Sequence, residues 1–125
     1  MATTALTTES FQDTVRAEGM VLVDWWAAWC APCRAFAPVF EAAAERYPDV
    51  VFAKVDTEAE AELSDLAGIR SIPTLMAFRD GVLVFSQPGT LPGEALDRLV
   101  AGVRSLDMDA VRAQLAEQQA GRNRS

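Results

Sequence analysis

Cys30 and Cys33 are the only thiols of a 125-residue chain that contains no histidine. A close cysteine pair can cycle between dithiol and disulfide, or can supply part of a zinc or haem site. Intramolecular zinc normally takes four ligands from cysteine, histidine or carboxylate, and no further cysteine or histidine is present. Covalent haem attachment needs a histidine directly after the second cysteine, where Arg34 stands. A purely structural disulfide spanning Ala31 and Pro32 would close too small a loop to constrain the unfolded chain much. Redox exchange therefore outweighs the other uses of the pair. The missing histidine also removes Ser-His-Asp triads and Cys-His proteases.

The flanking sequence decides what the two sulfurs can do. Met20-Val21-Leu22-Val23 runs apolar into Trp25-Trp26, the pattern of a central strand covered on both faces, with Asp24 interrupting it. From Ala31 to Tyr47, Phe36, Val39, Phe40, Ala43, Ala44 and Tyr47 recur at helical spacing, and Pro38 is expected to kink that helix. The cysteines thus fall where a buried strand gives way to a helix. At the N-cap, Cys30 would face the unpaired N–H groups and positive end of the helix dipole, which favour a thiolate. Cys30 becomes the attacking sulfur. Cys33 lies on the same helix face within bonding reach and becomes the resolving sulfur, while Pro32 is tolerated in the first turn.

Outside this unit, residues 7–16 read as a helix with Thr7 as N-cap and Leu6 stapled to Phe11, ended by Gly19. Val50 to Val55 reads as a strand, so that strand, helix and strand suggest a right-handed βαβ unit with parallel strands. Thr57 and Glu60 form a candidate capping box for a short helix carrying Leu63 and Leu66. Thr74 to Phe78 and Val82 to Phe85 read as antiparallel strands joined at Asp80-Gly81, a strong hairpin signal. Residues 88–93 read as a loop, and Leu96, Leu99, Val100 and Val103 mark an amphipathic helix. Residues 107–118, through Met108, Val111 and Leu115, suggest one more helix before a frayed polar end. Trp25 and Trp26 are expected to be core, because aromatic residues on a central strand usually pack. The acidic stretch Asp56, Glu58, Glu60, Glu62 and Asp65 reads as a solvated helix face.

Length and a 50% apolar content fit one compact domain, residues 1–106, with residues 107–125 as a C-terminal helical extension. A formal charge of −7 argues against nucleic acid as a partner. No run is long enough to span a membrane. Met1 to Leu6 has neither the basic nor the apolar region of a signal peptide, so a reducing, cytoplasmic setting is expected. Lys54 is the sole lysine beside ten arginines, so whatever keeps a lysine at that position is worth seeking.

With these residues in view, the chain resembles the thioredoxin family. The likeness is carried by Val23-Asp24-Trp25-Trp26-Ala27-Ala28-Trp29-Cys30-Ala31-Pro32-Cys33 and by Ile72-Pro73-Thr74-Leu75. Pro38, Lys54, Asp80-Gly81 and Gly89 add to it, and it covers about Leu6 to Arg104. The resemblance implies an α/β thioredoxin fold, a central mixed β-sheet flanked by helices on both faces. It implies that Cys30 forms the mixed disulfide with an oxidised protein substrate and that Cys33 resolves it. A thioredoxin reductase would restore the dithiol, so NADPH and FAD belong to that partner, and no cofactor or metal is expected here. Asp24, with a pKa raised by burial, would be the acid/base for Cys33, with Lys54 as its charge partner. The Ile72-Pro73 bond would be cis, and Trp29, Ala31, Pro32, Ile72, Pro73 and Gly89 would form the surface on which an extended substrate docks. The chain is expected to act as a monomer.

One departure from the commonest family motif is Ala31, where glycine is usual. The rival redox reading is an oxidase or isomerase, whose relatives often carry histidine before the second cysteine; here that residue is Pro32, which favours a reducing dithiol. A binding module that holds a partner at the Pro73 groove without turnover is the alternative from another class.

Overall fold

A computed structural model describes residues 2–123 of the chain. The element order is β1 (Thr3–Ala5), α1 (Thr8–Arg16), β2 (Met20–Trp26), α2 (Ala31–Arg46), β3 (Val51–Asp56), α3 (Ala61–Leu66), β4 (Thr74–Arg79), β5 (Val82–Pro88), α4 (Gly93–Arg104) and α5 (Met108–Asn123). The five strands form one sheet in the order β1-β3-β2-β4-β5. β1, β3 and β2 are parallel, whereas β4 runs antiparallel to β2 and β5 antiparallel to β4. The β2-α2-β3 unit is thus the parallel crossover that the strand, helix, strand order suggested.

Strand alternation splits the core in two. Met20 and Leu22 of β2, Phe52 of β3, and Leu75 and Ala77 of β4 pack with Phe36, Phe40, Ala43 and Ala44 of α2 and Leu96, Val100 and Val103 of α4. Val21, Val23 and Trp25, on the opposite face, pack with Phe11 and Val15 of α1 and Leu63 of α3. The sheet is covered on both sides, which explains why β2 reads as an unbroken apolar run. The Leu6–Phe11 staple joins the second of these clusters, and Thr7 caps α1 by accepting from the Ser10 N–H. Asp80 and Gly81 both have positive φ, 51° and 82°, as a two-residue type I′ hairpin requires.

Several expectations need correction. β1 has no counterpart in the sequence reading. Pro38 falls inside α2, where it forgoes the backbone donation toward Arg34 whose loss underlies the expected kink. The Thr57–Glu60 capping box does not form: α3 starts later, at Ala61, with no side-chain cap on Glu60. Thr57 Oγ1 instead donates to the Trp26 carbonyl, and Glu60 accepts from the Thr8 N–H. Asp56 makes the turn there, its Oδ1 accepting from the Glu58 and Ala59 N–H groups. The acidic stretch is therefore spread over the end of β3, a turn and α3 rather than along one helix face. Leu66 is 79% exposed and does not share the core with Leu63. The C-terminal helix does not stop near residue 118 but continues to Asn123; residues 124 and 125 of the polar end lie outside the described residues.

Met108 is buried, and Arg79 Nη1 donates to the carbonyls of Val103, Arg104 and Leu106, satisfying the C-terminus of α4 where the chain turns toward α5.

Candidate functional site

Cys30 is the N-cap of α2, with an extended backbone, and its Sγ accepts from the Cys33 N–H at 3.2 Å. That places an orphan donor of the first helical turn against the sulfur. Pro32 occupies the first turn without loss, as its sequence position suggested. Cys30 and Cys33 are joined in a disulfide with Cα atoms 5.2 Å apart. Both are largely covered.

Ile72 and Pro73 approach from the opposite side. The Ile72-Pro73 peptide is cis, and the Ile72 carbonyl oxygen lies 3.8 Å from Cys30 Sγ. The Pro73 carbonyl accepts from the Gly89 N–H at 2.7 Å, and Gly89 has φ 98°, a conformation that favours glycine. These contacts bring the turn before β4 and the end of β5 to the N-terminus of α2. Trp29 stands 67% exposed beside the disulfide, its Nε1 donating to Glu58 Oε1 at 2.6 Å. A groove of about 360 Å³ runs from Trp29 to Ile72 past Thr57, Ser64, Asp65 and Arg70. Glu58 and Arg70 were not singled out from sequence. Only the acidic run hinted at Glu58, and its bond to Trp29 depends on the turn at Asp56.

Asp24 is fully buried on the sheet face that carries α2, and neither carboxylate oxygen has a hydrogen-bond partner. Burial raises its pKa, and with the positive charge of Lys54 partly offsetting that effect the value stands at about 6 against an ordinary 3.8. Asp24 and Lys54 are register partners across β2 and β3. They do not form an ion pair: the Lys54 ammonium stands over the Trp26 ring, 5.0 Å from its centroid. Trp25 is core, as expected, but Trp26 is half-buried and is not a core residue of either cluster. Its place at the last position of β2 leaves one side of the ring to the lysine. Among the described residues, no cluster of cysteine, aspartate and glutamate is arranged to hold a metal ion, and no helix is long and apolar enough to cross a membrane.

A disulfide at a helix N-terminus, faced by a cis proline and placed at the end of the central strand of a mixed sheet, defines a carrier of dithiol–disulfide exchange. Comparison with known proteins specifies the family. The thioredoxin family model matches residues 2–102. The chain is 56% identical over 119 residues to a putative thioredoxin 2 of Streptomyces coelicolor, covering 95% of this chain and 89% of the relative. It is 40% identical over 101 residues to a thioredoxin of Bacillus subtilis, covering 80% and 96%. Among solved structures, a mutant thioredoxin from Halobacterium salinarum superposes with a TM-score of 0.76 at 32% identity, covering 82% of this chain and 91% of that one. This chain belongs to the thioredoxin family. Its cysteine pair is the redox-active group of a protein-disulfide oxidoreductase.

Proposed function

We propose that the protein reduces disulfides in oxidised protein substrates in the cytoplasm and is itself re-reduced by a thioredoxin reductase. The observation that carries this reading is the Cys30 sulfur, held at the α2 N-terminus against the Cys33 N–H. In the reduced protein the Cys30 thiolate attacks one sulfur of the substrate disulfide. A Cys30–substrate bond forms, the substrate S–S bond breaks, and the first substrate thiolate leaves. Asp24, as carboxylate, takes the proton of Cys33, directly or through water. The Cys33 thiolate then attacks Cys30 Sγ, forming the Cys30–Cys33 disulfide and expelling the second substrate thiolate, which gains a proton. Two electrons have passed from the protein to the substrate. NADPH and FAD, held by the reductase, supply them back.

A raised pKa suits Asp24 to this part, since a general base works best when its pKa is near the operating pH. The ammonium of Lys54 keeps the carboxylate accessible despite burial. For docking, Trp29 and Ile72 would bound the groove, with Pro73, bonded to Gly89, and Ala31 and Pro32 of the first turn of α2 completing the surface. The Ile72 backbone at the edge of this surface can pair with an extended substrate segment as an added strand.

Cys30→Ser and Cys33→Ser separate turnover from holding. Cys30→Ser is expected to abolish reduction of a model protein disulfide, and Cys33→Ser to accumulate substrate as a mixed disulfide on Cys30 that dithiothreitol releases. Undiminished reduction by Cys30→Ser would show that this pair does not carry the activity.

A further inference from the structure

Lys54 enters none of the ion pairs among the described residues. An ammonium on a flexible four-carbon stem ordinarily reaches for water or a carboxylate. Here it stands over Trp26 instead, in a groove of about 500 Å³ beside β1 that Trp26, Lys54, Asp56 and Glu60 line together. The two acids of that groove are engaged elsewhere. Asp56 accepts from the Glu58 and Ala59 N–H groups, and Glu60 from the N–H and hydroxyl of Thr8. Asp24 and Trp26 alternate onto the same face of β2, and Lys54 is the register partner of Asp24. The three side chains therefore share one side of the sheet.

We propose that Trp26 is a positioning residue: its indole face holds the Lys54 ammonium beside Asp24 and thereby sets the proton affinity of the carboxylate that serves Cys33. The inference rests on the reading of Asp24 as the proton acceptor for Cys33. A cation is drawn to the negative face of an aromatic ring, most strongly to indole, and more so where water is partly excluded. Release from the ring frees the ammonium to move toward Asp56, Glu60 or bulk water. Asp24 then loses part of the one positive charge that offsets its burial, because the attraction falls with distance. β4 sets Leu75 opposite Asp24, and α2 brings the disulfide to this face; Asp56 and Glu60 lie in the groove with Lys54.

The test is a double-mutant cycle read at the Asp24 proton itself. The carboxyl carbon of Asp24 is titrated by NMR in the oxidised wild type, Trp26→Leu, Lys54→Met and the double variant. Lys54→Met is expected to raise the midpoint. Trp26→Leu admits water in either background, so that contribution cancels in the cycle. What remains is the part transmitted through Lys54: Trp26→Leu should raise the proton affinity of Asp24 about two- to fivefold more when Lys54 is present than in the Lys54→Met background. Equal effects in the two backgrounds would overturn the proposal, leaving Trp26 a cover against water. If Trp26→Leu does not fold, Trp26→Phe carries the same cycle, with a smaller coupling of the same sign expected and zero coupling overturning it. The titration uses the oxidised protein and involves no turnover. Failure of the Asp24 reading itself would instead show as a Cys33 exchange rate unchanged by Asp24→Asn.

Discussion

Replacing Asp24 with asparagine should stabilise the oxidised protein at neutral pH and do so in a pH-dependent way. The carboxyl is fully buried without a hydrogen-bond partner, and its pKa stands at about 6 against an ordinary 3.8. Between those values the folded chain keeps a proton that the unfolded chain has given up, so stability falls as pH rises. Below about pH 3 the group is neutral in both states and has no pH-dependent effect. Above about pH 7 it is charged in both, and the folded state bears the whole cost of the buried charge. At about 1.4 kcal/mol per pH unit, the span from 3.8 to about 6 converts to about 3 kcal/mol, roughly half of which is already present at pH 5. Asparagine carries no charge at any pH. The difference in unfolding free energy between Asp24→Asn and wild type should therefore grow by about 3 kcal/mol from pH 3 to pH 8. Urea unfolding of both oxidised proteins across that range measures it, and any constant difference between asparagine and neutral aspartate drops out of the slope. A difference that stays flat with pH, or that shrinks as pH rises, would refute the account of Asp24 as an unpartnered buried acid.

Three other perturbations test how the site and the extension are held. Arg79→Met removes the donor that serves three carbonyls at the end of α4, and is expected to lower stability by about 1–3 kcal/mol in urea unfolding. Gly89→Ala adds a methyl that meets open space, but at φ 98°, so a conformational loss of about 1–2 kcal/mol is expected, together with weaker substrate docking seen as a higher KM. Deleting residues 109–125 removes a helix whose buried residue, Met108, is retained and whose link to Asp80 is an ion pair at 3.9 Å between partly exposed groups. That truncation should cost under about 1 kcal/mol and leave disulfide reduction unchanged; loss of folding would show that the extension is part of the domain.

The parts of this structure legible in the sequence are those specified by local pattern. β2 announces itself by an apolar run covered on both faces, α2 by a buried stripe, and the hairpin by Asp80-Gly81, whose φ values the turn demands. Cys30 and Cys33 followed from the junction of the first two. The misses are tertiary in origin. β1 is three residues long, too short for any period, and exists because its backbone pairs with the edge of β3. Thr57 has the side chain of a helix cap, but the Trp26 carbonyl is within its reach and Asp56 already satisfies the N–H groups of the turn, so α3 begins later. Leu66 shares the helical spacing of Leu63 yet falls at the last residue of a one-and-a-half-turn helix, past the core. Trp26 illustrates the limit best. Its residue type and strand position both say core, and what distinguishes it is Lys54 on the neighbouring strand, 28 positions away in the chain.

The most direct test of the central claim is the reduction potential of the Cys30–Cys33 pair, measured by equilibrating the protein in graded dithiol buffers and following Trp29 fluorescence, with alkylation of the free thiols as a check. With Pro32 rather than a histidine before Cys33, the pair should come to balance near about −270 mV, the poise of a dithiol that reduces other proteins. A value between about −180 and −120 mV would contradict the account, because such a pair donates disulfides instead of removing them.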